Sequence, residues 1–208
     1  MTKKQKIREL LDYTYLLFPK AHCELFYSKD YELLIAVMLS AQTTDQAVNK
    51  ATTRLFNRFN SLDSLKNASI DEIENIIHSL GCSFKKAKNI HQISTILIEK
   101  YNSKVPNNKK ALTELPGVGN KTASVVLMEL YNEFELPVDT HIIRITNRLG
   151  IVKNNDPDVI SEKLKTLIPP NEYKKAHHSL IFFGRYMCKA KKPNCEQCKL
   201  KSICNFNS

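Results

Sequence analysis

Apolar residues recur at intervals of three and four positions along most of this 208-residue chain. Such spacing gathers them on one face of an α-helix and is typical of amphipathic helices packed around a core. No alternating strand pattern of comparable strength is present, so the sequence predicts an all-α fold. The pattern predicts helices over residues 7–18, 33–39, 47–59, 90–101, 122–131, 142–149, 159–168 and 173–187.

Local signals at the ends of these segments agree with helices. Ser69 and Glu72 have the spacing of a capping box, and Asp156–Pro157 supplies an N-cap followed by a proline in the first helical position. Gly81 and Gly150 each follow a helical segment, where glycine commonly ends a helix. We therefore expect helix starts after Ser69 and Asp156 and helix stops at the two glycines.

The chain is strongly basic, with 31 Lys and Arg against 21 Asp and Glu, a net charge of +10 and a pI near 9.3. A positive surface attracts phosphate groups, yet lysine-rich composition also arises by drift, so charge alone leaves nucleic-acid binding open. The length allows one large domain or two small ones. Any division into domains has to come from helix packing, since no linker or composition break is visible.

No segment has the character of a membrane span or an export signal. The longest uninterrupted apolar run, Leu33–Leu39, is far shorter than the roughly 20 residues that a span needs. No apolar core follows the basic start over residues 1–8. We expect no membrane partner and a cytoplasmic location, associated with the nucleoid if the source is bacterial.

Four of the six cysteines lie within the last 21 residues. Cys188, Cys195, Cys198 and Cys204 read C-x6-C-x2-C-x5-C, a spacing that lets four thiolates converge on one metal centre. This segment is polar and almost free of aliphatic residues, so burial cannot order it. Metal–ligand bonds, worth on the order of 10 kcal/mol in small structural sites, can.

Two alternatives stay open for these cysteines. Disulfides are the first, although they are typical of exported chains. The identity of the metal is the second, because zinc and an iron–sulfur cluster both accept four cysteines. Cys23 and Cys82 stand apart and are most simply spare thiols.

Residues 112–123, LTELPGVGNKTA, predict two helices joined by a tight turn. Gly117 and Gly119 allow positive φ and close approach of another molecule, and the amides that open the next helix can receive an anion such as a DNA phosphate. An NTPase phosphate loop is excluded because Asn120, not glycine, precedes Lys121. A dinucleotide fingerprint is excluded because Thr122 stands where its third glycine belongs.

Lys121 and Asp139 are the candidate catalytic residues. In the first turn of a helix the dipole disfavours positive charge on Lys121, and the neutral amine is the form that a nucleophile needs. The alternative is an ordinary exposed lysine. Asp139 precedes the helix over residues 142–149 and is either a simple N-cap or a carboxylate that accepts a proton or stabilises a sugar cation. We interpret His141 as a packed histidine.

Four motifs together resemble the endonuclease III family of DNA glycosylases, within the helix-hairpin-helix superfamily. They are LSAQTTD at residues 39–45, LPGVGNKTA at residues 115–123, VDTH at residues 138–141 and the cysteine quartet, and they occur in the family's order. The resemblance covers about residue 31 to 204.

The resemblance implies a fold with two helical lobes flanking a cleft: a six-helix barrel lobe over residues 22–131, and a discontinuous lobe made of residues 1–21 and 132–208. It implies a monomeric base-excision-repair enzyme that acts on double-stranded DNA containing damaged bases or abasic sites. Such an enzyme removes oxidised pyrimidines as a DNA glycosylase and then cleaves the strand by β-elimination as an AP lyase. The implied cofactor is a [4Fe-4S] cluster.

The resemblance also implies roles for individual residues. Lys121 is the nucleophile that attacks the sugar C1′ and forms a Schiff base, and Asp139 assists it. Cys188, Cys195, Cys198 and Cys204 hold the cluster. The expected DNA-binding residues are Gln42, which fills the vacated stack, Asp45 on the pocket segment, Leu115, Gly117, Val118 and Gly119 of the hairpin, and Lys192 of the metal loop.

The chain departs from the family after Gly81. Members often carry a wedging leucine there, whereas this chain has Cys82-Ser-Phe84, so Cys82 or Phe84 is expected to wedge into the DNA stack. Two rival functions stay open from the sequence: a glycosylase for mismatched bases on the same scaffold, and a non-catalytic module that binds DNA through the hairpin and metal loop.

Overall fold

The computed structural model describes residues 1–206, and within this range it contains helices and no β-strand. The predicted all-α fold is therefore confirmed. Asn207 and Ser208, the end of the predicted second lobe, lie outside the described residues. The helices are α1 (Lys3–Leu17), α2 (Asp30–Leu39), α3 (Asp45–Arg58), α4 (Leu62–Asn67), α5 (Ile70–Ile77), α6 (Ser83–Tyr101), α7 (Lys109–Thr113), α8 (Asn120–Tyr131), α9 (Thr140–Arg148), α10 (Pro157–Lys165) and α11 (Tyr173–Tyr186).

Each helix predicted from periodicity is present, and the structure contains three short ones besides: α5, whose start the capping box predicted, α7, expected as the first helix of the hairpin motif, and α4, which was not predicted. α4, α5 and α7 have six, eight and five residues. α4 and α7 each present only two apolar positions, too few to define a 3.6-residue period, whereas the four isoleucines of α5 have helical spacing that was not recognised in the sequence. Short 3-10 turns also occur at Pro170–Glu172, Cys195–Gln197 and Lys201–Ile203.

Three of the predicted helix boundaries are confirmed. Ser69 Oγ accepts from the Glu72 amide at 3.2 Å, and Glu72 Oε2 accepts from the Ser69 amide at 2.9 Å, which completes the capping box before α5. The Asp156 side chain caps α10, with proline in its first position. Gly150 has φ +67 just after α9 and ends that helix as predicted.

The stop predicted at Gly81 is wrong. α5 already ends at Ile77, and the left-handed residue of the following turn is Cys82, with φ 57. Cys82 is the N-cap of α6. The left-handed residue of this turn therefore belongs to the start of α6 and not to the end of α5.

Packing divides the chain into two compact units. One runs from Glu24 to Asn132 and is built around α2, nine of whose ten residues are buried. A helix that is apolar on every side belongs in the centre of a fold. Helices α3 and α8 pack against α2, and α4 and α5 pack against α6.

The other unit joins residues 1–23 to the chain from Glu133 onward. In it, α11 packs against both α1 and α9. Its core is made of aliphatic side chains from these helices and from α10, with Phe183 among the largest fully buried residues. None of the helices within residues 1–206 is long and apolar enough to cross a membrane.

Candidate active site and cysteine segment

The hairpin, which we define as residues 109–131, consists of α7, a tight turn and α8. Leu115 and Val118 anchor the turn, since they are only 3% and 5% exposed. The Val118 amide also donates to the Leu115 carbonyl at 3.1 Å. Both residues were predicted to bind DNA, and because their side chains are buried, only the backbone at these two positions is available for such a contact.

The two hairpin glycines differ in conformation. Gly117 has φ +76, and a Cβ there would lie 2.3 Å from Asn89 Nδ2 and 3.4 Å from Met38 Cγ, so both conformation and space require glycine. Gly119 has φ −92 and is the N-cap of α8, so it does not use the positive φ that glycine allows. A Cβ at Gly119 would meet nothing within 4 Å, which leaves that side of the turn open.

Lys121 is exposed and occupies the second position of α8. Gly119 has no side chain with which to cap the helix, and the first amides of a helix lack carbonyl partners within it. These amides and the helix dipole favour an anion at this end of α8. The geometry can thus hold a phosphate beside a primary amine, while the catalytic role of Lys121 stays a prediction.

Asp139 is the N-cap of α9, as its sequence position predicted. Its Oδ1 accepts from the amides of His141 at 3.0 Å and Ile142 at 2.9 Å, and its Oδ2 lies 2.7 Å from His141 Nδ1. These contacts orient both oxygens of a largely buried carboxylate. Its catalytic assistance stays a prediction, and Lys121 belongs to the other compact unit.

His141 is more than the packed histidine that we expected. Its ring is paired with Asp139, and it also fills the space beside Gly184, where a Cβ would lie 2.6 Å from His141 Cβ. The signal for the pairing was present in the sequence, because a histidine two residues after an N-cap aspartate lies within reach of its carboxylate. The close approach to Gly184 has no such signal.

Gln42 lies in a turn between α2 and α3. The Thr43 amide donates to the Ser40 carbonyl at 3.1 Å, and Gln42 takes the third position of this turn with φ 56. Glycine is the usual residue there, and a left-handed side-chain residue costs about 1–3 kcal/mol. Gln42 is exposed, and Asp45, the other predicted pocket residue, begins α3 two residues after Thr43.

The two residues proposed to replace the wedging leucine are both accessible. Cys82 is exposed in its left-handed conformation before α6, and Phe84, in the first turn of α6, is 57% exposed. A phenylalanine has the flat apolar surface that stacking between bases requires. The wedging role stays a prediction for both residues.

The cysteine segment, which we define as residues 188–204, contains two 3-10 turns and no α-helix. Its four cysteines are half-buried and all line one cavity of about 220 Å³, whose walls also include Ile145, Leu149 and Phe183. In residues 1–206 no group of three or more His, Cys, Asp or Glu side chains is arranged to hold a single metal ion.

The surroundings of Cys198 disfavour its thiolate form in the absence of a cation. Burial raises the pKa of Cys198 above its ordinary value of 9.0, and the neighbouring thiols raise it further. Thiolates that repel one another in a desolvated site become stable when a metal neutralises them. The set of donors therefore fits a metal group with four cysteine ligands.

Two arginines of α9, which the sequence reasoning missed, hold the cysteine segment. Arg148 Nη1 donates to Cys188 Sγ at 3.3 Å and to the Lys189 carbonyl at 2.8 Å, and its Nη2 donates to the Ala190 carbonyl at 3.1 Å. Arg144 Nε donates to the Cys188 carbonyl at 3.0 Å. Their spacing of four positions, which places them on one face of a helix, was the available signal.

The lysines between the cysteines point outward. Lys192 is exposed with φ 50, and Lys189, Lys191 and Lys199 are also exposed. This surface is positive, as predicted for an element that contacts phosphate, while the assignment of Lys192 to DNA binding stays a prediction.

Comparison with known proteins agrees with this fold and these motifs. The family described as "HhH-GPD superfamily base excision DNA repair protein" matches residues 35–170. The helix-hairpin-helix fold and the family resemblance predicted from the motifs are confirmed. The chain belongs to this superfamily and, within it, to the endonuclease III family.

Individual relatives match over nearly the whole chain. Endonuclease III of Rickettsia felis is 43% identical over 188 residues, which are 90% of this chain and 88% of that protein. Endonuclease III of Bacillus subtilis is 41% identical over 205 residues, 98% of this chain and 94% of that protein. A solved structure of a trapped endonuclease III–DNA covalent intermediate is 43% identical, with a TM-score of 0.94 over 98% of this chain and 96% of that one.

Proposed function

We propose that this protein is a bifunctional DNA glycosylase and AP lyase of base excision repair that removes oxidised pyrimidines from duplex DNA. The observation that carries the proposal is the exposed Lys121 at the start of α8. It lies in a chain 43% identical to an endonuclease III that has been trapped covalently on DNA. A primary amine is the group that such covalent chemistry at a sugar carbon requires.

The proposed reaction proceeds through Lys121 Nζ. The neutral amine attacks C1′ of the extruded nucleotide, the bond from C1′ to the base breaks, and the base leaves with a proton. Opening of the sugar ring gives an imine between Nζ and C1′. Removal of a C2′ proton then expels the 3′ phosphate by β-elimination, and water hydrolyses the imine to free the lysine.

Asp139 is proposed to assist the first step. Positive charge develops on the sugar as the base departs, and a carboxylate in a partly desolvated setting stabilises such charge. It can also accept a proton from the attacking amine. The contacts from His141 and from two amides of α9 support this role, because they fix the direction of both oxygens.

The proposed DNA contacts use backbone amides and exposed side chains. Gly117 and Gly119 let the hairpin backbone approach a phosphate at the start of α8. Gln42 would fill the space left by the extruded nucleotide, with Asp45 on the same pocket segment, and Lys192 would contact the DNA backbone. Extruding a base costs a few kcal/mol, which backbone contacts by a basic protein can offset.

The partner in this proposal is duplex DNA with a damaged base or an abasic site, bound by one copy of the chain. We retain residues 22–131 and residues 1–21 with 132–208 as the two functional lobes. We propose that the protein acts in the cytoplasm, in association with the nucleoid if the source is bacterial.

We propose that Cys188, Cys195, Cys198 and Cys204 hold a [4Fe-4S] cluster, which orders the cysteine segment when bound. The spacing of the ligands supports a cluster over zinc, because structural zinc sites usually have two close cysteine pairs and here only Cys195 and Cys198 form one. Metal analysis and the visible absorption of the purified protein distinguish the two. Zinc in stoichiometric amount would contradict this assignment without affecting that of Lys121.

Borohydride trapping tests the proposed function. The native protein, loaded with its metal, is mixed with duplex DNA containing an oxidised thymine and then reduced, which converts an imine into a stable amine. We expect a covalent protein–DNA adduct. Lys121→Gln should abolish it, while the matched control Lys110→Gln, which removes the same charge from an exposed position on α7, should retain it.

The outcomes separate the rival functions. Base release without an adduct from the native protein would indicate a monofunctional glycosylase. Binding without base release from any lesion or mismatch duplex would indicate a DNA-binding module. An adduct that persists in Lys121→Gln would assign the nucleophile to another residue.

A further inference from the structure

Lys86 is a buried charged residue with no part in the reaction described above. It is only 7% exposed and lies in the first turn of α6. Burial opposes the charged form and lowers the pKa of Lys86 below its usual value of 10.5. The dipole at the start of a helix opposes a positive charge as well. A lysine kept in so unfavourable a place calls for an explanation in its contacts.

Lys86 contacts the residues on either side of Gln42. Lys86 Nζ donates to the Ala41 carbonyl at 3.2 Å and to Thr43 Oγ1 at 3.1 Å. Both acceptors are uncharged, and Gln42 lies between them in the chain. The Thr43 hydroxyl also lies 3.2 Å from the Ala41 carbonyl, so the ammonium and the two acceptors form a closed set of hydrogen bonds around the turn.

The turn itself needs such support. Gln42 holds φ 56 in a position where glycine is usual, and its side chain is exposed. A non-glycine residue keeps this conformation only when its surroundings over-determine it. The hydrogen bonds from Lys86 to both neighbours of Gln42 provide that constraint, since they fix the carbonyl before it and the side chain after it.

We infer that Lys86 is a positioning residue that locks the Ala41–Thr43 turn and so holds the Gln42 side chain ready to enter the DNA stack. The inference rests on the proposed function, because it assigns Gln42 to the space left by an extruded nucleotide. Lys86 contacts no DNA in this scheme. It acts through Gln42, by removing the conformational freedom that binding would otherwise have to remove.

The experiment compares affinity for two duplexes, one undamaged and one with a stable tetrahydrofuran abasic site opposite a normal base. Fluorescence anisotropy gives both dissociation constants, and their ratio is the readout. Lys86→Met should lower the preference for the abasic duplex about tenfold. Lys85→Met removes the same charge from the exposed neighbouring position. It should therefore weaken binding to both duplexes by the same factor and leave the ratio of dissociation constants unchanged.

A double-mutant cycle with Gln42→Gly distinguishes positioning from a general structural role. Glycine suits the left-handed conformation, so this change removes the side chain without straining the turn. If Lys86 acts through Gln42, adding Lys86→Met to Gln42→Gly should change the ratio less than about twofold. An equal loss in both backgrounds would overturn the inference, as would a Lys86→Met variant that keeps the native ratio.

Thr43→Val keeps the test decisive if Lys86→Met does not fold. It removes the hydroxyl that accepts from Lys86 at nearly constant side-chain shape. It should lower the preference for the abasic duplex by a smaller factor than Lys86→Met does, and only when Gln42 is present. Circular dichroism and thermal unfolding confirm that each variant is folded. A native protein that shows no preference for the abasic duplex would contradict the proposed function itself, which separates that failure from the failure of Lys86 alone.

Discussion

Different interactions hold the hairpin, residues 109–131, and the cysteine segment, residues 188–204. In the hairpin, Leu112, Leu115 and Val118 are buried, and α8 adds further buried residues on its inner face. In the cysteine segment, Leu200 is the buried hydrophobic residue within the described chain. Each buried leucine contributes about 1.5–3 kcal/mol, so burial accounts for the order of the hairpin and not for that of the segment.

Hydrogen bonds from α1 contribute to the order of the cysteine segment. Lys6 Nζ donates to the Ile203 carbonyl at 3.0 Å, and Tyr13 hydroxyl donates to the Gln197 carbonyl at 3.2 Å. A hydrogen bond of this kind contributes about 1 kcal/mol net. Because a few such bonds do not offset the entropy of ordering the segment, we expect its stability to depend on the proposed cluster and that of the hairpin not to.

The largest effect that we predict is the loss of one cluster ligand. Cys198→Ser should release the metal and expose residues 188–204 to proteolysis and hydrogen exchange, since ligand binding is worth on the order of 10 kcal/mol. The hairpin should keep its protection. Cys23→Ser, which alters a cysteine outside the segment, is the control. Simultaneous loss of protection in both regions would break the comparison.

A smaller loss is expected from a cavity in the hairpin. Leu115→Ala should lower the free energy of unfolding by about 2–5 kcal/mol, because a side chain that is 3% exposed leaves a void behind. Leu16→Ala, at a residue that is 69% exposed, should change it by less than about 0.5 kcal/mol. Urea unfolding gives both values, and the metal content of Leu115→Ala should stay native while the protein is folded.

Arg148→Met tests the polar contacts that hold the cysteine segment. It removes the donors to Cys188 Sγ and to two carbonyls of the cysteine segment, which should destabilise that segment locally by about 2 kcal/mol. The expected result is faster hydrogen exchange in residues 188–204 and easier removal of metal by a chelator. Exchange in α8 is the internal control, and an unchanged rate in the segment would contradict this account.

Gly117→Ala should destabilise the hairpin by about 1–3 kcal/mol, since φ +76 disfavours any side chain and the new Cβ would press on Asn89. Adding Asn89→Ala should recover only the steric part of the loss. Gly119→Ala is the matched control, because its φ of −92 and open surroundings accept a Cβ. Equal losses at the two glycines in thermal unfolding would contradict the assignment.

The smallest predicted effect concerns an exposed ion pair at the edge of the hairpin. Lys100 Nζ lies 3.1 Å from Glu114 Oε2, and the hydrogen bond from Lys100 to Glu114 raises the pKa of Lys100 above its ordinary value of 10.5. A raised folded-state pKa stabilises the protein below 10.5, and this contribution is lost as pH rises through the higher value. The stability difference between native protein and Lys100→Gln should therefore vanish in strong alkali and shrink at high salt.

Much of the fold follows from short-range sequence patterns. The long helices follow from apolar spacing, and the caps at Ser69 and Asp156 follow from side chains that bond amides two or three residues away. The wrong prediction at Gly81 has the same origin as the correct one at Gly150. Both rested on a glycine after a helix, and only the path of the chain into α6 decides which residue of the turn is left-handed.

The candidate site likewise has features that the sequence predicts and features that only the structure shows. The hairpin motif, Lys121 and the four cysteines are recognisable from the sequence, as is the capping role of Asp139. The burial of Leu115 and Val118 was not, because a motif says which residues occur together and not which side chains face the core. The same limit applies to the contacts of Arg144 and Arg148 with the cysteine segment.

The sequence by itself determined the helical class of this protein, the order of its motifs and the presence of four thiols in a segment without a core. Each depends on spacings of a few residues, over which the geometry of a helix or a turn is known in advance. Only the tertiary structure decided that Lys86 bonds to the Ala41 carbonyl, 45 positions away in the chain, and so holds the turn at Gln42. A contact at that separation depends on how whole helices pack, and no local pattern specifies it.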